Sequence, residues 1–194
     1  MDGRLRKGNL FIISGPSGAG KGTLVKEILS RVPDAWLSVS ATTRSMRPGE
    51  VEGISYSYVS YEQFQTLIDT GGLLEYSKHF SNYYGTPKAP VEEHIAAGKQ
   101  VILEIDVNGA RQVQEITPYA VTIFVEPPSV AELKSRLIKR GTESPEQIEE
   151  RINRVNGELE HKARYNYTVV NDDLSQACDE LAAIIDSHAR IIKE

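Results

Sequence analysis

The most constraining feature of the sequence is a glycine-rich loop between an apolar segment and a helical pattern. The loop reads Gly15-Pro-Ser-Gly-Ala-Gly20-Lys21-Gly22-Thr23 and follows the apolar run LFIIS directly. Glycines let backbone N–H groups converge on a phosphate, and the N-terminus of the next helix adds partial positive charge. Lys21 can then reach between the β- and γ-phosphates of a nucleotide. A merely structural glycine turn is the alternative, and the strand-before, helix-after context makes it the weaker one.

One position of this loop departs from the usual motif. Gly22 stands where Ser or Thr normally supplies a hydroxyl on the magnesium side. Thr23 follows immediately, and we expect its hydroxyl to take that role.

Five short segments rich in β-branched and apolar residues predict the core sheet. Most are near-continuous apolar runs, which is typical of strands buried on both faces. Helical patterns separate them, including residues 24–30 and two helices with capping signals at Ser129 and Ser144. The fold class is therefore α/β, with a central parallel five-stranded sheet flanked by helices. The predicted strands are residues 10–14, 36–40, 101–106, 121–125 and 167–170.

Residues 44–86 do not continue this alternation of buried strands and helices. Tyrosine-rich strand signals at 56–59, 74–78 and 83–86 surround a helical pattern at 61–69. We expect a small mixed α/β lobe inserted after the second core strand. The predicted division of the single domain is a core (1–42, 87–128 and 163–194), a lobe (43–86) and a helical lid (129–162).

Composition and charge exclude several classes. The chain has 194 residues, 40% of them apolar, which is enough to bury a core, so disorder is excluded as the main state. A net charge of -5 argues against a nucleic-acid partner, and no apolar run is long enough to span a membrane. The one cysteine, Cys178, allows no internal disulfide, and the expected location is cytoplasmic.

A second basic loop follows the second predicted strand. In the segment SATTRSMRPGEVEGISY, Arg44 and Arg47 lie three apart and can converge on a second phosphate. Taken alone, the segment would more simply be a solvated charged loop.

Together with the phosphate loop, this segment and the runs LLEY, NYYGTP, ILEID, PPS and VVNDD resemble the guanylate kinases in type and order. The similarity runs from about Asn9 to the C-terminal helix. It implies a P-loop kinase fold whose lobe binds GMP. The implied reaction is reversible, magnesium-dependent transfer of the ATP γ-phosphate to GMP, and to dGMP, in purine nucleotide metabolism.

The resemblance also implies residue roles on the GMP side. Arg44, Arg47, Tyr56 and Tyr84 hold the GMP phosphate. Because guanine offers two adjacent N–H donors that a carboxylate can accept, Glu75 suits guanine and disfavours adenine. Ser40 and Thr86 assist it. Glu104 stands where the family often has Asp and is expected to share the guanine contact. Asp106 either holds the water shell of magnesium or supports the acceptor site.

On the ATP side the implied binding residues are the loop and one asparagine near the C-terminus: Gly15, Pro16, Ser17, Gly18, Ala19, Gly20, Lys21, Gly22, Thr23 and Asn171. The expected cofactor is Mg²⁺, bound with ATP and contacted by Thr23 and, through water, by Asp106. The lid arginines Arg136, Arg140 and Arg151 would close over the ATP phosphates, unless they form a merely solvated face. With Lys21 and Arg44 they make up the expected catalytic set.

Two rival functions are considered. A kinase for another nucleoside monophosphate would share the loop and the lid, and Glu75 together with the TTR-x2-R loop argues against it. A non-catalytic guanylate-kinase-like interaction module is the other, and the presence of Lys21 and the lid arginines argues against that. Four histidines, His79, His94, His161 and His188, show no ligand spacing and are interpreted as structural or surface residues.

Overall fold

The computed structural model describes residues 6–79, 81–140 and 144–189. Its centre is a five-stranded sheet in the order β2-β7-β1-β8-β9, and every pairing in it is parallel. The predicted α/β fold class is therefore confirmed. The strands are β1 (Asn9–Ser14), β2 (Ala35–Leu37), β7 (Gln100–Glu104), β8 (Val121–Glu126) and β9 (Tyr167–Val170).

Helices cover both faces of this sheet because its strands are apolar on both sides. Phe11 and Ile13 of β1 pack into a cluster with α1 (Lys21–Arg31) and α7 (Leu174–His188). Leu10 and Ile12, which point the other way, pack toward α3 (Lys88–Ala96) and α4 (Val107–Ile116). Cys178 is buried in the first cluster.

The second predicted strand is shorter than expected. It ends at Leu37 instead of residue 40, and Ser38 makes the last bond, donating its N–H to the Ile102 carbonyl. The chain then enters a second sheet with the order β4-β3-β6-β5. Its elements are β3 (Ala41–Thr42), β4 (Ser57–Tyr58), α2 (Tyr61–Asp69), β5 (Leu73–His79) and β6 (Asn82–Pro87).

The second sheet spans residues 41–87, close to the bounds 43–86 that the sequence predicts for the lobe. It includes Ala41–Thr42, which lie just before the predicted lobe boundary at residue 43. Helix α2 has the bounds that the sequence predicted, and Phe64 is its fully buried residue.

Helices α5 (Val130–Arg140) and α6 (Pro145–Leu159) pack on each other, and a 3₁₀ turn, Glu160–Arg164, leads back to β9. Ser144 and Gln147 form the reciprocal capping box that the sequence predicted for α6. Ser129 accepts the Glu132 N–H at the start of α5, whereas the Glu132 carboxylate accepts from Arg136.

Leu133, Leu137, Ile148 and Val155 form an apolar cluster of their own between α5 and α6. Within the described residues, no helix is both long and apolar enough to cross a lipid bilayer.

Candidate functional site

The phosphate loop connects β1 to α1 and depends on glycine at three turns. Gly15, Gly18 and Gly20 have φ values of 140°, 90° and 87°. A Cβ on Gly15 would lie 2.0 Å from the Val125 carbonyl oxygen, and one on Gly20 would lie 2.4 Å from Asn171 Nδ2. Side chains are therefore excluded where the loop curls, and its backbone is left free to surround a phosphate.

Asn171, which directly follows β9, holds this loop. Its buried side-chain amide donates to the Ala19 carbonyl at 2.8 Å, and its backbone N–H donates to the Glu126 carbonyl at 2.8 Å. The sequence placed Asn171 on the adenine side. Its contact with the loop was missed, because nothing in the run VVNDD indicates which carbonyl the amide reaches.

Lys21 is the first residue of α1 and folds over the loop. Its ammonium donates to the carbonyls of Gly15 at 2.6 Å and Pro16 at 3.0 Å. Burial lowers the pKa of Lys21, and the carboxylates of Glu104, Glu158 and Asp106 act in the opposite direction. The ammonium is thus held by carbonyls that a bound phosphate can replace.

An open cleft of about 650 Å³ lies beside the loop. Of the residues predicted to bind GMP, all except Thr86 line it, and Ser17 of the phosphate loop lines it too. The carboxyl ends of parallel strands meet at one edge of a sheet, which brings Ser17 and Glu104 together here. The lining residues from the predicted set are Ser40, Arg44, Arg47, Tyr56, Glu75, Tyr84, Glu104 and Asp106.

Arg44 is held by a carboxylate that the sequence analysis missed. Its guanidinium makes two hydrogen bonds to Glu50, at 2.7 and 3.0 Å. Glu50 also accepts the Tyr58 hydroxyl and the Arg47 N–H, each at 2.7 Å. The bond to Arg44 is the main cause that lowers the pKa of Glu50 to about 2 and raises that of Arg44. The RPGE run contained this residue, but only the fold shows that its carboxylate turns back onto Arg44.

The Arg44 guanidinium also lies 5.3 Å from the ring centre of Tyr56, within the range of a cation–π contact. Tyr56 and Tyr84 approach edge to face, with ring centres 5.9 Å apart. Burial raises the pKa of Tyr56, so its hydroxyl stays protonated and can donate to an anion.

Glu75 and Thr86 form a buried pair across β5 and β6. The Thr86 hydroxyl donates to Glu75 Oε1 at 2.6 Å. Thr86 is only 1% exposed, which explains why it reaches the cleft through Glu75 and does not line it. Burial raises the pKa of Glu75 to about 7, so protonation of its carboxyl is sensitive near neutral pH.

Glycine at position 109 makes room for Glu75. A Cβ there would lie 2.8 Å from Glu75 Oε2. Helix α4 thus approaches the carboxylate with its backbone.

Asp106 performs a structural task that the sequence analysis overlooked. It caps α4, because its Oδ1 accepts the Gly109 N–H at 2.7 Å. Its Oδ2 lies 3.5 Å from His79 Nε2. His79 lines the cleft together with Ser77 and Asn82, so its interpretation as a structural or surface histidine missed this position. Side chains alternate between the two faces of β5 and β6. If the pairing register of these strands had been known, the positions of Ser77, His79 and Asn82 at the cleft could have been predicted.

The lid arginines are only partly described. Arg136 donates to the Glu132 carboxylate at 3.1 Å and to the Asn171 carbonyl at 3.1 Å, and it is absent from the cleft lining. The side chains of Arg140 and Arg151 lie outside the described residues. Thr23 is exposed on the first turn of α1.

No group of three or more His, Cys, Asp or Glu side chains in the described ranges could hold a metal ion by itself. The cleft nevertheless offers Glu104 and Asp106 beside the phosphate loop. Carboxylates of this kind, completed by substrate phosphates, are the usual setting for magnesium. The residues therefore fit a magnesium ion that arrives with a nucleotide.

Comparison with known proteins agrees with this geometry. A family model described as guanylate kinase matches residues 7–188. The guanylate kinase of Desulfitobacterium hafniense (strain Y51) is 51% identical over 178 residues, covering 92% of this chain and 89% of that protein. The guanylate kinase of Synechococcus sp. (strain CC9902) is also 51% identical, covering 90% of this chain and 93% of that protein.

Solved structures point the same way. A crystal structure of guanylate kinase from Anaplasma phagocytophilum matches with a TM-score of 0.76 at 30% identity, covering 96% of this chain and 88% of that one. Shikimate kinase from Bacteroides thetaiotaomicron matches with a TM-score of 0.51 at 12% identity, covering 92% of this chain and 98% of that one, which shows a shared fold alone. With a family model over almost its whole length and relatives at half identity, the chain belongs to the guanylate kinase family.

Proposed function

We propose that this protein transfers the γ-phosphoryl group of ATP to the phosphate of GMP. The observation that carries the proposal is that one cleft joins two phosphate sites. Ser17 of the phosphate loop lines this cleft together with Arg44 and Arg47. A donor nucleotide on the loop and an acceptor nucleotide on the arginines would therefore meet in the same space.

The reaction needs no covalent enzyme intermediate. An oxygen of the GMP phosphate attacks the γ-phosphorus and forms a new P–O bond. The bond between that phosphorus and the β,γ-bridging oxygen breaks, and ADP leaves with the electron pair. Catalysis then consists of positioning the two phosphates in line and stabilising the charge on the transferred group. Lys21 supplies positive charge at the donor phosphates, and Arg44 supplies it at the acceptor.

Magnesium fits this arrangement as a companion of ATP. When bound, it neutralises charge on the β- and γ-phosphates. Thr23 and Asp106 remain candidates for its contacts, Asp106 through water because one of its oxygens already caps α4. Glu104 lines the same cleft.

The GMP phosphate is assigned to Arg44, Arg47, Tyr56 and Tyr84. Arginine forks and phenolic hydroxyls are donors that match phosphate oxygens. Arg44 is supported by its partner Glu50, which fixes the guanidinium before substrate arrives.

Guanine is assigned to Glu75, with Ser40 and Thr86 beside it. Ionised Glu75 can accept the two N–H groups of guanine, whereas adenine presents a lone pair at the equivalent ring nitrogen. The Thr86 hydroxyl, which already donates to Glu75, holds the carboxylate in one orientation.

Closure over ATP is assigned to the lid helices α5 and α6, with Arg136, Arg140 and Arg151 as the residues that would meet the phosphates. Arg136 must exchange its bonds to Glu132 and Asn171 for one to phosphate. The division into core, GMP lobe and lid is part of this proposal. The cytoplasmic location is inferred from cysteine usage.

The deciding experiment measures ADP formation from MgATP with GMP, dGMP, AMP, CMP and UMP as separate acceptors. GMP should be preferred, dGMP should be used, and AMP should be poor. An equal response to AMP would replace the guanine assignment with a broader acceptor class. No ADP with any acceptor, from protein with an intact circular-dichroism spectrum, would refute the proposed function.

A further inference from the structure

The space beside Gly22 is occupied by a carboxylate. A Cβ built on Gly22 would lie 3.6 Å from Oε1 and 3.7 Å from Oε2 of Glu104. These are ordinary contact distances, so the carboxylate stands where a side chain on residue 22 would extend. That is the side chain from which a phosphate loop normally offers its hydroxyl to the metal.

The length of the Glu104 side chain matters for this contact. Glu104 is the last residue of β7, and the four residues before it are buried while it faces the cleft. An aspartate in its place would end one methylene group earlier, roughly 1.5 Å short of the loop.

Glu104 also differs from the other carboxylates of the cleft in its hydrogen-bond partners. Three carboxylates line the cleft, and two have structural partners: Glu75 accepts from Thr86, and Asp106 accepts from Gly109. Among the residues that the structure describes, none donates a hydrogen bond to Glu104. Its surroundings desolvate it and raise its pKa, with Lys21 acting in the opposite direction. A partly desolvated carboxylate with no donor is suited to receive a cation.

We infer that Glu104 supplies, on the metal side of bound ATP, the oxygen that residue 22 lacks, and that Gly22 keeps the space for it. This inference rests on the proposed function only in taking MgATP as the donor. It pairs two residues that are 82 positions apart in the sequence and that only the sheet brings together. Thr23 is a poorer substitute, because the next residue of a helix is rotated by about 100°.

The test is a set of variants read out by ATP binding with no GMP present. Calorimetry gives the Kd of ATP in EDTA and in saturating Mg²⁺, and the ratio of the two measures how much the metal strengthens binding. The variants are Glu104→Asp, Gly22→Ser and the double variant Gly22→Ser/Glu104→Asp. Glu115→Asp makes the same deletion at an exposed position of α4 that does not line the cleft, and serves as the control.

Glu104→Asp should reduce the ratio about tenfold, as expected when a metal loses a supporting oxygen. Gly22→Ser should also reduce the ratio. The new hydroxyl would donate to Glu104, so neither the hydroxyl nor the carboxylate would be free to contact the metal. The double variant should recover to within about threefold of the parent, since a free hydroxyl then replaces the withdrawn carboxylate. Glu115→Asp should leave the ratio unchanged.

An unchanged ratio in Glu104→Asp overturns the inference. It is also overturned if the ratio of the double variant falls by the product of the two reductions seen in the single variants. A Glu104→Asp protein that loses GMP affinity while keeping its ratio would make Glu104 a GMP residue. The proposed function fails by a different result, the absence of GMP phosphorylation by the parent protein.

Discussion

The two proposed phosphate sites of the cleft differ in what forms them. The loop at residues 15–23 is backbone, shaped by glycines at positive φ and held by the buried amide of Asn171. The arginine loop around Arg44 consists of long charged side chains, and its order comes from the carboxylate of Glu50. One site is fixed by shape, and the other by paired charge.

This difference indicates what each site can tolerate. A backbone cradle offers N–H groups that do not titrate, so phosphate binding by the loop backbone itself should depend little on pH across the neutral range. The acceptor site depends on ionised side chains and on Glu75, whose pKa is near 7. Selectivity and pH sensitivity should therefore reside in the acceptor site.

The largest effect is expected from a substitution at the donor site. Lys21→Met should lower kcat by at least about 100-fold, because the charge that meets the transferring phosphoryl group is removed. GMP affinity, measured by calorimetry, and the melting temperature should stay near the parent values, since the bonds of Lys21 to residues that the structure describes are to loop carbonyls. Near-normal turnover in the folded variant would refute the phosphate-loop assignment.

The next effect concerns base choice. Glu75→Gln keeps the size and one carbonyl acceptor but turns an NH₂ donor toward a guanine N–H. A lost charge-assisted bond costs about 1.5–3 kcal/mol, so kcat/KM for GMP should fall roughly 10- to 150-fold. Discrimination against AMP should narrow, while ATP affinity serves as the unaffected control. If the GMP-to-AMP ratio stays at the parent value, another group reads the base.

A pH titration tests the same difference between the acceptor site and the donor site. Glu75 must be ionised to accept both guanine N–H groups, and its pKa is raised to about 7, so the competent fraction falls as the pH drops. GMP affinity should decrease roughly tenfold from pH 8 to pH 6, in accord with one titrating group. ATP affinity in EDTA should change less.

Glu75→Gln is the matched control for this titration, because it removes the titrating carboxyl and leaves the phosphate of GMP to titrate in both proteins. A pH dependence that is identical in the parent and in Glu75→Gln would assign the effect to GMP itself.

The smallest effect tests the support of Arg44. Glu50→Gln removes the charge that orients the guanidinium, and KM for GMP should rise about threefold to tenfold with kcat little changed. Tyr58→Phe, which removes only one of the bonds to Glu50, should have a weaker effect in the same direction. A fall in KM for GMP would mean that Glu50 competes with the phosphate.

Much of this molecule could be predicted from sequence, and the exceptions share a cause. The core strands were located because buried runs such as Leu10–Ile13 have one explanation. Residues 38–40 were wrongly included in β2, because propensity does not indicate where a strand leaves its sheet. The apolar pattern says only that a segment is buried.

Within the candidate site, many of the residues that line the cleft were named from the resemblance to the guanylate kinases, whereas their supporting contacts were not. Glu50, Asn171 and the capping role of Asp106 depend on contacts across a turn or between strands. The approach of Gly109 to Glu75 spans 34 positions. Such contacts depend on register, which a single sequence does not display.

The apolar cluster between α5 and α6 has a mechanical consequence. Because Leu133 and Leu137 of α5 pack against Ile148 and Val155 of α6, a movement of the two helices as one unit would leave this packing intact. The same leucines stand against Gly18, where a Cβ would come within 2.7 Å of Leu133 and 3.3 Å of Leu137. The base of this helix pair therefore rests on the glycine-rich loop, so a change in the shape of that loop would be passed directly to α5.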